Sequence, residues 1–274
     1  MKNKLKTTTL AVMILCAAMF TGCEKETPSV ALDQNRDVMY QVSLLQGLTY
    51  GDYHGSITVK ELKQHGDTGI GTFNQLNGEL IMLDGVVYRA AGDGSVEIVS
   101  DDETIPFSDV TFIDADKSMD FKDIPDYEAL CSELNQIVEE SGKNRFYMVR
   151  IDGLFHEVNV RSEYAQVEPY KPLVEVLEYD QTFFDYTNVE GTLVGLYCPP
   201  YMSDLNAVGW HLHFISKDKT KGGHVLGVNV AEAVLTWDDT DAFQMKVPQN
   251  DMFDEFDLTV DQSEDIEKVE KSQS

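Results

Sequence analysis

Three of the six histidines in this 274-residue chain lie close together. His211 and His213 belong to Gly209-Trp210-His211-Leu212-His213-Phe214-Ile215. His224 ends Gly222-Gly223-His224 after the polar loop Ser216-Lys217-Asp218-Lys219-Thr220-Lys221. On a β-strand, alternate side chains share a face. His211 and His213 therefore point one way, and Trp210, Leu212 and Phe214 point the other, toward a core. Two imidazoles at i and i+2 can reach a single cation. The loop can fold the chain back so that a neighbouring strand presents His224 as a third ligand. Three neutral imidazoles with an open position suit a catalytic zinc ion better than a closed structural one. The plainer alternative is two exposed strand histidines and one turn histidine.

A zinc ion with open coordination polarises a carbonyl or hydroxyl oxygen, or activates water. It needs a proton-transfer group and a residue that orients the substrate. Both must come from distant stretches. Glu79 follows the Asn77-Gly78 turn at the start of a strand. Arg161 closes the alternating run Phe155-His156-Glu157-Val158-Asn159-Val160. Glu270 lies in an acidic tail. Taken singly, each also reads as a surface charge, and nothing in the pattern separates them from the chain's other acids and bases (48 and 21 in all).

The elements that would position these groups are mostly strands. Thr58-Val59-Lys60-Glu61 is a capping-box pattern that opens a short helix. Gly71-Thr72-Phe73-Asn74-Gln75-Leu76 and Glu79-Leu80-Ile81-Met82-Leu83 flank Asn77-Gly78, which predicts a tight hairpin. Further turns at Asp84-Gly85 and Asp93-Gly94 continue a meander. Residues 127–140 place Leu130, Leu134, Ile137 and Val138 on one face of an amphipathic helix that Gly142 ends. Phe146-Tyr147-Met148-Val149-Arg150-Ile151 reads as a strand turning at Asp152-Gly153 into residues 155–161. Residues 191–197, the histidine hairpin with residues 225–237, and residues 243–247 complete the strands. A short tail helix over residues 263–271 presents Ile266 and Val269. Hairpins without βα alternation give an α+β fold of mostly antiparallel or mixed sheet in two sheet-rich halves, with a soft boundary near residues 143–190.

With 42% hydrophobic residues the chain can bury a full core, and its net charge of −27 argues against nucleic acid or anionic lipid as a partner for a broad basic surface. An anionic substrate would need local positive charge at the site. Residues 1–22 read as a leader: a basic start, then an apolar stretch too short to span a membrane. It ends in Phe20-Thr21-Gly22-Cys23, which resembles a bacterial lipobox and implies lipid attachment at Cys23. Residues 23–37 then read as a tether and residues 38–274 as the catalytic region. This places the protein outside the cytoplasmic membrane, anchored by lipid on the periplasmic or cell-surface side. Once the leader is removed and Cys23 lipidated, Cys131 and Cys198 remain, as a possible disulfide or as two free thiols.

Several motifs in order resemble the alpha-acetolactate decarboxylase family: Asn74-Gln75-Leu76-Asn77-Gly78-Glu79-Leu80-Ile81, Arg150-Ile151-Asp152-Gly153-Leu154-Phe155, and the histidine stretch through His224. Gly69-Ile70-Gly71-Thr72-Phe73 and Asn188-Val189-Glu190-Gly191-Thr192 extend the match, which runs from about Leu45 to Glu270. The resemblance implies that His211, His213 and His224 hold zinc and that Glu79, Arg161 and Glu270 are the catalytic residues. Glu267 is a near alternative to Glu270. The implied reaction takes (S)-2-acetolactate to (R)-acetoin and CO2, with zinc as the Lewis acid for the enediolate that forms. A homodimer is compatible with it. Two other readings of the same histidines stay open: a zinc-binding surface lipoprotein without catalysis, and a zinc hydrolase. The second gives no reason for Arg161.

Overall fold

The computed structural model describes residues 36–114 and 117–270. The leader, Cys23 and most of the tether fall outside these residues. In chain order the elements are β1 (Val38–Val42), α1 (Leu45–Thr49), β2 (Ile57–Thr58), α2 (Val59–Leu62), β3 (Thr68–Thr72), β4 (Glu79–Leu83), β5 (Val86–Ala90), β6 (Val96–Ile98), β7 (Thr104–Ile105), β8 (Phe107–Thr111) and β9 (Lys117–Ile124). There follow α3 (Tyr127–Ser141), β10 (Phe146–Glu163), α4 (Leu173–Tyr179), β11 (Gln181–Cys198), β12 (Gly209–Ser216), β13 (Gly222–Thr240), β14 (Ala242–Lys246), α5 (Asp251–Glu255) and α6 (Ser263–Glu270). The class is α+β, as the hairpin-rich pattern predicts.

One sheet has the order β14-β1-β8-β3-β4-β5-β6 and is antiparallel except where β1 meets β14. The other runs β10-β11-β12-β13-β9. Its strand β10 also pairs with β13, so the sheet curls back on itself. Residues 143–190, the expected soft boundary, contain β10, α4 and the first half of β11.

Strand β12 is buried on both faces because it lies between two cores. Leu212 and Phe214 pack inside the curled sheet with Phe155, Val158 and Leu193. Leu130, Leu134 and Ile137 of α3 close the same core, each worth about 1.5–3 kcal/mol of transfer free energy when fully buried. Helix α3 starts where Asp126 caps it, the carboxylate accepting from the Ala129 N–H at 2.8 Å. On its other face β12 contributes Ile215 to a core that joins the two sheets, with Ile70 and Ile81 from one and Val194 and Leu196 from the other. His211 and His213 share that face, so the imidazoles sit in a sheet-to-sheet interface.

Two expected turns differ in the structure. The connection from β3 to β4 is not a two-residue hairpin at Asn77-Gly78. Strand β3 ends at Thr72, which pairs with Glu79, and residues 73–78 form a longer loop. Tertiary contacts claim those residues. The Gln75 N–H donates to the Tyr53 carbonyl, the Asn74 side chain accepts from the Gly55 N–H, and Leu76 is buried among the helices. Nor does the chain turn at Asp152-Gly153, because β10 runs straight through. A Cβ at Gly153 would come within 2.3 Å of the Glu232 carbonyl, so this glycine serves close approach of β13 and not a turn. Helix α4 has no counterpart in the sequence reading. Cys131 and Cys198 are free thiols.

Candidate functional site

The hairpin of β12 and β13 sets His224 directly across from His213, in register. His211 is two residues further along β12 on the same face. The three ring nitrogens converge: His211 Nε2 lies 3.1 Å from His213 Nε2 and 3.0 Å from His224 Nδ1. The outward nitrogens face acceptors. His213 Nδ1 is 2.9 Å from the Leu80 carbonyl, and His224 Nε2 is 3.4 Å from the Glu270 carbonyl. His211 Nδ1 is 3.3 Å from Glu270 Oε2 but makes no hydrogen bond to it. On His213 and His224 the acceptor on the outer nitrogen puts the proton there and leaves the inner lone pair free, the arrangement of a metal-ligating histidine.

Burial, with the Arg161 charge adding to it, pushes His211 down to about 3 and holds His224 well below the usual imidazole range. His213 is lowered well below it as well, by burial first and then by His211. All three rings are therefore neutral, as ligands must be. Three lone pairs aimed at one point repel unless a cation lies between them. Tetrahedral zinc at about 2.0–2.1 Å from each nitrogen sets its ligands about 3.3 Å apart, and the observed separations are close to that. The donor set fits a divalent metal.

The remaining expected residues enter the same cavity from three other elements. Glu79 opens β4, and its Oε2 is 3.4 Å from His213 Nε2. Arg161 lies near the end of β10, opposite His224 in the pairing with β13. Its guanidinium donates to the Val269 carbonyl of α6. Glu270 ends α6, which is seated by Ile266 and Val269 among Leu45, Leu48, Leu173 and Leu177. The cavity is small, about 40 Å³, and much of its remaining wall is apolar: Leu45, Leu48, Leu76, Phe107, Leu173 and Leu177, with Thr72 and Glu163 as polar members.

The structure thus brings together His211, His213, His224, Glu79, Arg161 and Glu270. Among the two tail glutamates it is Glu270 that lines the cavity. Sequence reasoning missed Glu163, which also lines it and is 3% exposed. Its Oε1 is 3.5 Å from Arg161 Nε, and its carboxyl is hydrogen-bonded to that of Glu79. The available signal was parity, since Arg161 and Glu163 are two apart on one strand and share a face.

Burial raises all three carboxyls. Glu79 stands well above the usual carboxylate range, with Glu163 adding to the effect and Arg161 opposing it. Glu163 is raised, and Glu270 is pushed up to about 7, each opposed by Arg161.

The family model described as alpha-acetolactate decarboxylase matches residues 39–260. A protein of that name from Methanosarcina mazei is 40% identical over 237 residues, covering 86% of this chain and 81% of that protein. One from Bacillus subtilis is 36% identical over 241 residues, covering 88% and 93%. The crystal structure of alpha-acetolactate decarboxylase from Bacillus subtilis superposes with a TM-score of 0.82 at 35% identity, over 86% of this chain and 100% of that one.

Proposed function

The chain belongs to the alpha-acetolactate decarboxylase family and is a decarboxylase acting on acetolactate; we propose that it forms (R)-acetoin and CO2 from the (S) substrate, with zinc held by His211, His213 and His224. The observation that carries this reading is the convergence of three neutral imidazole nitrogens beside one buried guanidinium and buried carboxyls. Zinc there would supply a Lewis acid for the negative charge that develops as CO2 leaves.

The chain's own residues do the rest. The substrate is a small acid whose carboxylate needs a cation, and Arg161 offers a fork that matches it. The apolar wall of Leu45, Leu76, Phe107 and Leu173 accepts the methyl groups and keeps water out. In the reaction the substrate carboxylate departs as CO2 and its bonding electrons remain as an enediolate. One proton then closes the new C–H bond. Glu79 and Glu270 flank the imidazoles from opposite elements, and burial keeps protons on carboxyls there near neutral pH, so each is suited to deliver one. A carboxyl fixed on one side of the planar enediolate makes a single enantiomer.

The assay is acetoin formation from racemic acetolactate by the purified protein, with zinc content measured before and after chelation. The expected result is about one zinc per chain, (R)-acetoin, and loss of turnover on chelation that added zinc restores. Undiminished acetoin output from metal-free protein would sink the zinc assignment, and no acetoin under any condition would sink the functional reading.

The same proposal includes location. The run from Met1 to Cys23 supports a lipid anchor at Cys23 and a catalytic region outside the cytoplasmic membrane. Cys23→Ser should release the protein from the membrane fraction, and a soluble wild-type protein would refute the anchor.

A further inference from the structure

The zinc ligands, Arg161, Glu79 and Glu270 leave one charged group of the cavity without a part in the reaction. Glu163 closes β10, is 3% exposed and faces the same space. Burying a carboxylate costs several kcal/mol unless its partners compensate. Leu76, Leu173 and Leu177 line the same cavity, so an apolar side chain would be tolerated there. The charge therefore calls for a reason in its contacts, and besides a backbone hydrogen bond two side chains meet it. Oε1 lies 3.5 Å from Arg161 Nε, and the carboxyl is hydrogen-bonded to Glu79.

Resting on the decarboxylase reading above, we propose that Glu163 is a positioning residue for the reaction: it fixes the Arg161 guanidinium to receive the substrate carboxylate and holds the Glu79 carboxyl beside the imidazoles. Arg161 is held in two ways. Nη2 donates to the Val269 carbonyl of α6, and Nε faces Glu163 in an ion pair at 3.5 Å without a hydrogen bond. A guanidinium on a four-bond stem loses its fork geometry when one of two such anchors goes, and the two-pronged contact to a carboxylate depends on that geometry. Glu79 is the first residue of β4, where the loop 73–78 ends. Its carboxyl has His213 on one side and Glu163 on the other, so Glu163 sets the direction in which it points. Parity alone ties the two functions together, because Arg161 and Glu163 lie on one face of one strand while Glu79 arrives from the opposing sheet.

The two contacts separate by substitution. Glu163→Gln keeps a hydrogen bond for Glu79 and removes the charge facing Arg161. It should raise KM for acetolactate about tenfold, with kcat within threefold of wild type and zinc content unchanged. Glu163→Val removes both contacts. It should show the same rise in KM and a further fall in kcat of tenfold or more. The decisive measurement is the cycle with Arg161→Ala. In that background Glu163→Gln should change KM by less than twofold, because the group it acts through is gone. A merely structural role predicts the opposite: matched losses of melting temperature and activity in all variants, additive with Arg161→Ala. The inference is overturned if Glu163→Gln has a KM within twofold of wild type, or if its effect persists at full size without Arg161. If Glu163→Val does not fold, the glutamine variant and the cycle still decide. An active wild type with an unaltered Glu163→Gln variant sinks this inference alone, whereas an inactive wild type sinks the functional reading with it.

Discussion

Glu79 reaches the cavity from the first position of β4, 3.4 Å from His213 and hydrogen-bonded to Glu163. The group that could hold a metal ion consists of the three imidazoles, without Glu79. Glu79→Gln preserves shape and removes the proton-carrying function. It should keep about one zinc per chain and lower kcat by about 100-fold or more, the usual scale for losing a general acid or base. Metal analysis and acetoin rates on the same sample test this, and wild-type turnover would remove Glu79 from the mechanism. At this scale the sequence was unevenly legible. Parity and a turn were enough to group His211, His213 and His224, because their cooperation is local to one hairpin. Glu79, Arg161 and Glu270 come from β4, β10 and α6, and no local pattern joins three elements. Only motif order, through the family resemblance, connected them. Glu163 had neither signal in its favour beyond its spacing from Arg161, so the chemistry of a strand end was passed over.

At the level of elements, the site depends on how β13 lies against β10 and on how α6 is seated. Gly223 has φ +147°, and a Cβ there would come within 2.5 Å of the Arg161 carbonyl. It sits between the pairings of His224 with His213 and with Arg161. Gly223→Ala should push β13 away from β10 where His224 and Arg161 are carried, destabilising the fold by about 2 kcal/mol or more and weakening zinc retention. Denaturant melts with zinc titration test it, and a variant with native stability and native zinc affinity would show that the strands have slack. Helix α6 carries Glu270 and the carbonyl that holds Arg161, but none of the imidazoles. Ending the chain after residue 262 should leave zinc bound and abolish most turnover. It should also lower the melting temperature by several degrees as the Ile266 and Val269 contacts are lost. Loss of zinc on truncation would instead make α6 part of the metal centre. The tail helix and α3 were readable because each has one buried stripe. The two misread turns share a cause. Asn77-Gly78 and Asp152-Gly153 have turn chemistry, but contacts from Tyr53 and Gly55 in one case and close approach of β13 in the other decide the backbone. Such contacts lie far away in sequence and leave no local trace.

For the whole molecule the governing quantity is charge. The chain carries −27, and its substrate is an anion. The α+β class and the −27 were both plain in the sequence, since hairpin turns and composition need no knowledge of contacts. What composition cannot show is that Arg161 and the three clustered histidines sit inside the fold while the acidic excess surrounds them. These two fields act over different distances. The surface charge acts at long range and is screened by salt, with a Debye length of about 30 Å at 0.01 M and about 8 Å at 0.15 M. The attraction of buried Arg161 acts at contact and is screened much less. Long-range repulsion slows the approach of acetolactate, and salt should relieve it. Between 10 and 150 mM sodium chloride, kcat/KM is expected to rise about two- to fivefold while kcat stays nearly constant, because the groups that do the chemistry are shielded from the ions. The melting temperature should rise over the same range as self-repulsion of the folded surface weakens. Steady-state kinetics at fixed pH and zinc test the first part and thermal melts the second. A fall in kcat/KM with salt would mean that the positive centre steers the substrate from outside the pocket, with its field reaching past the acidic surface.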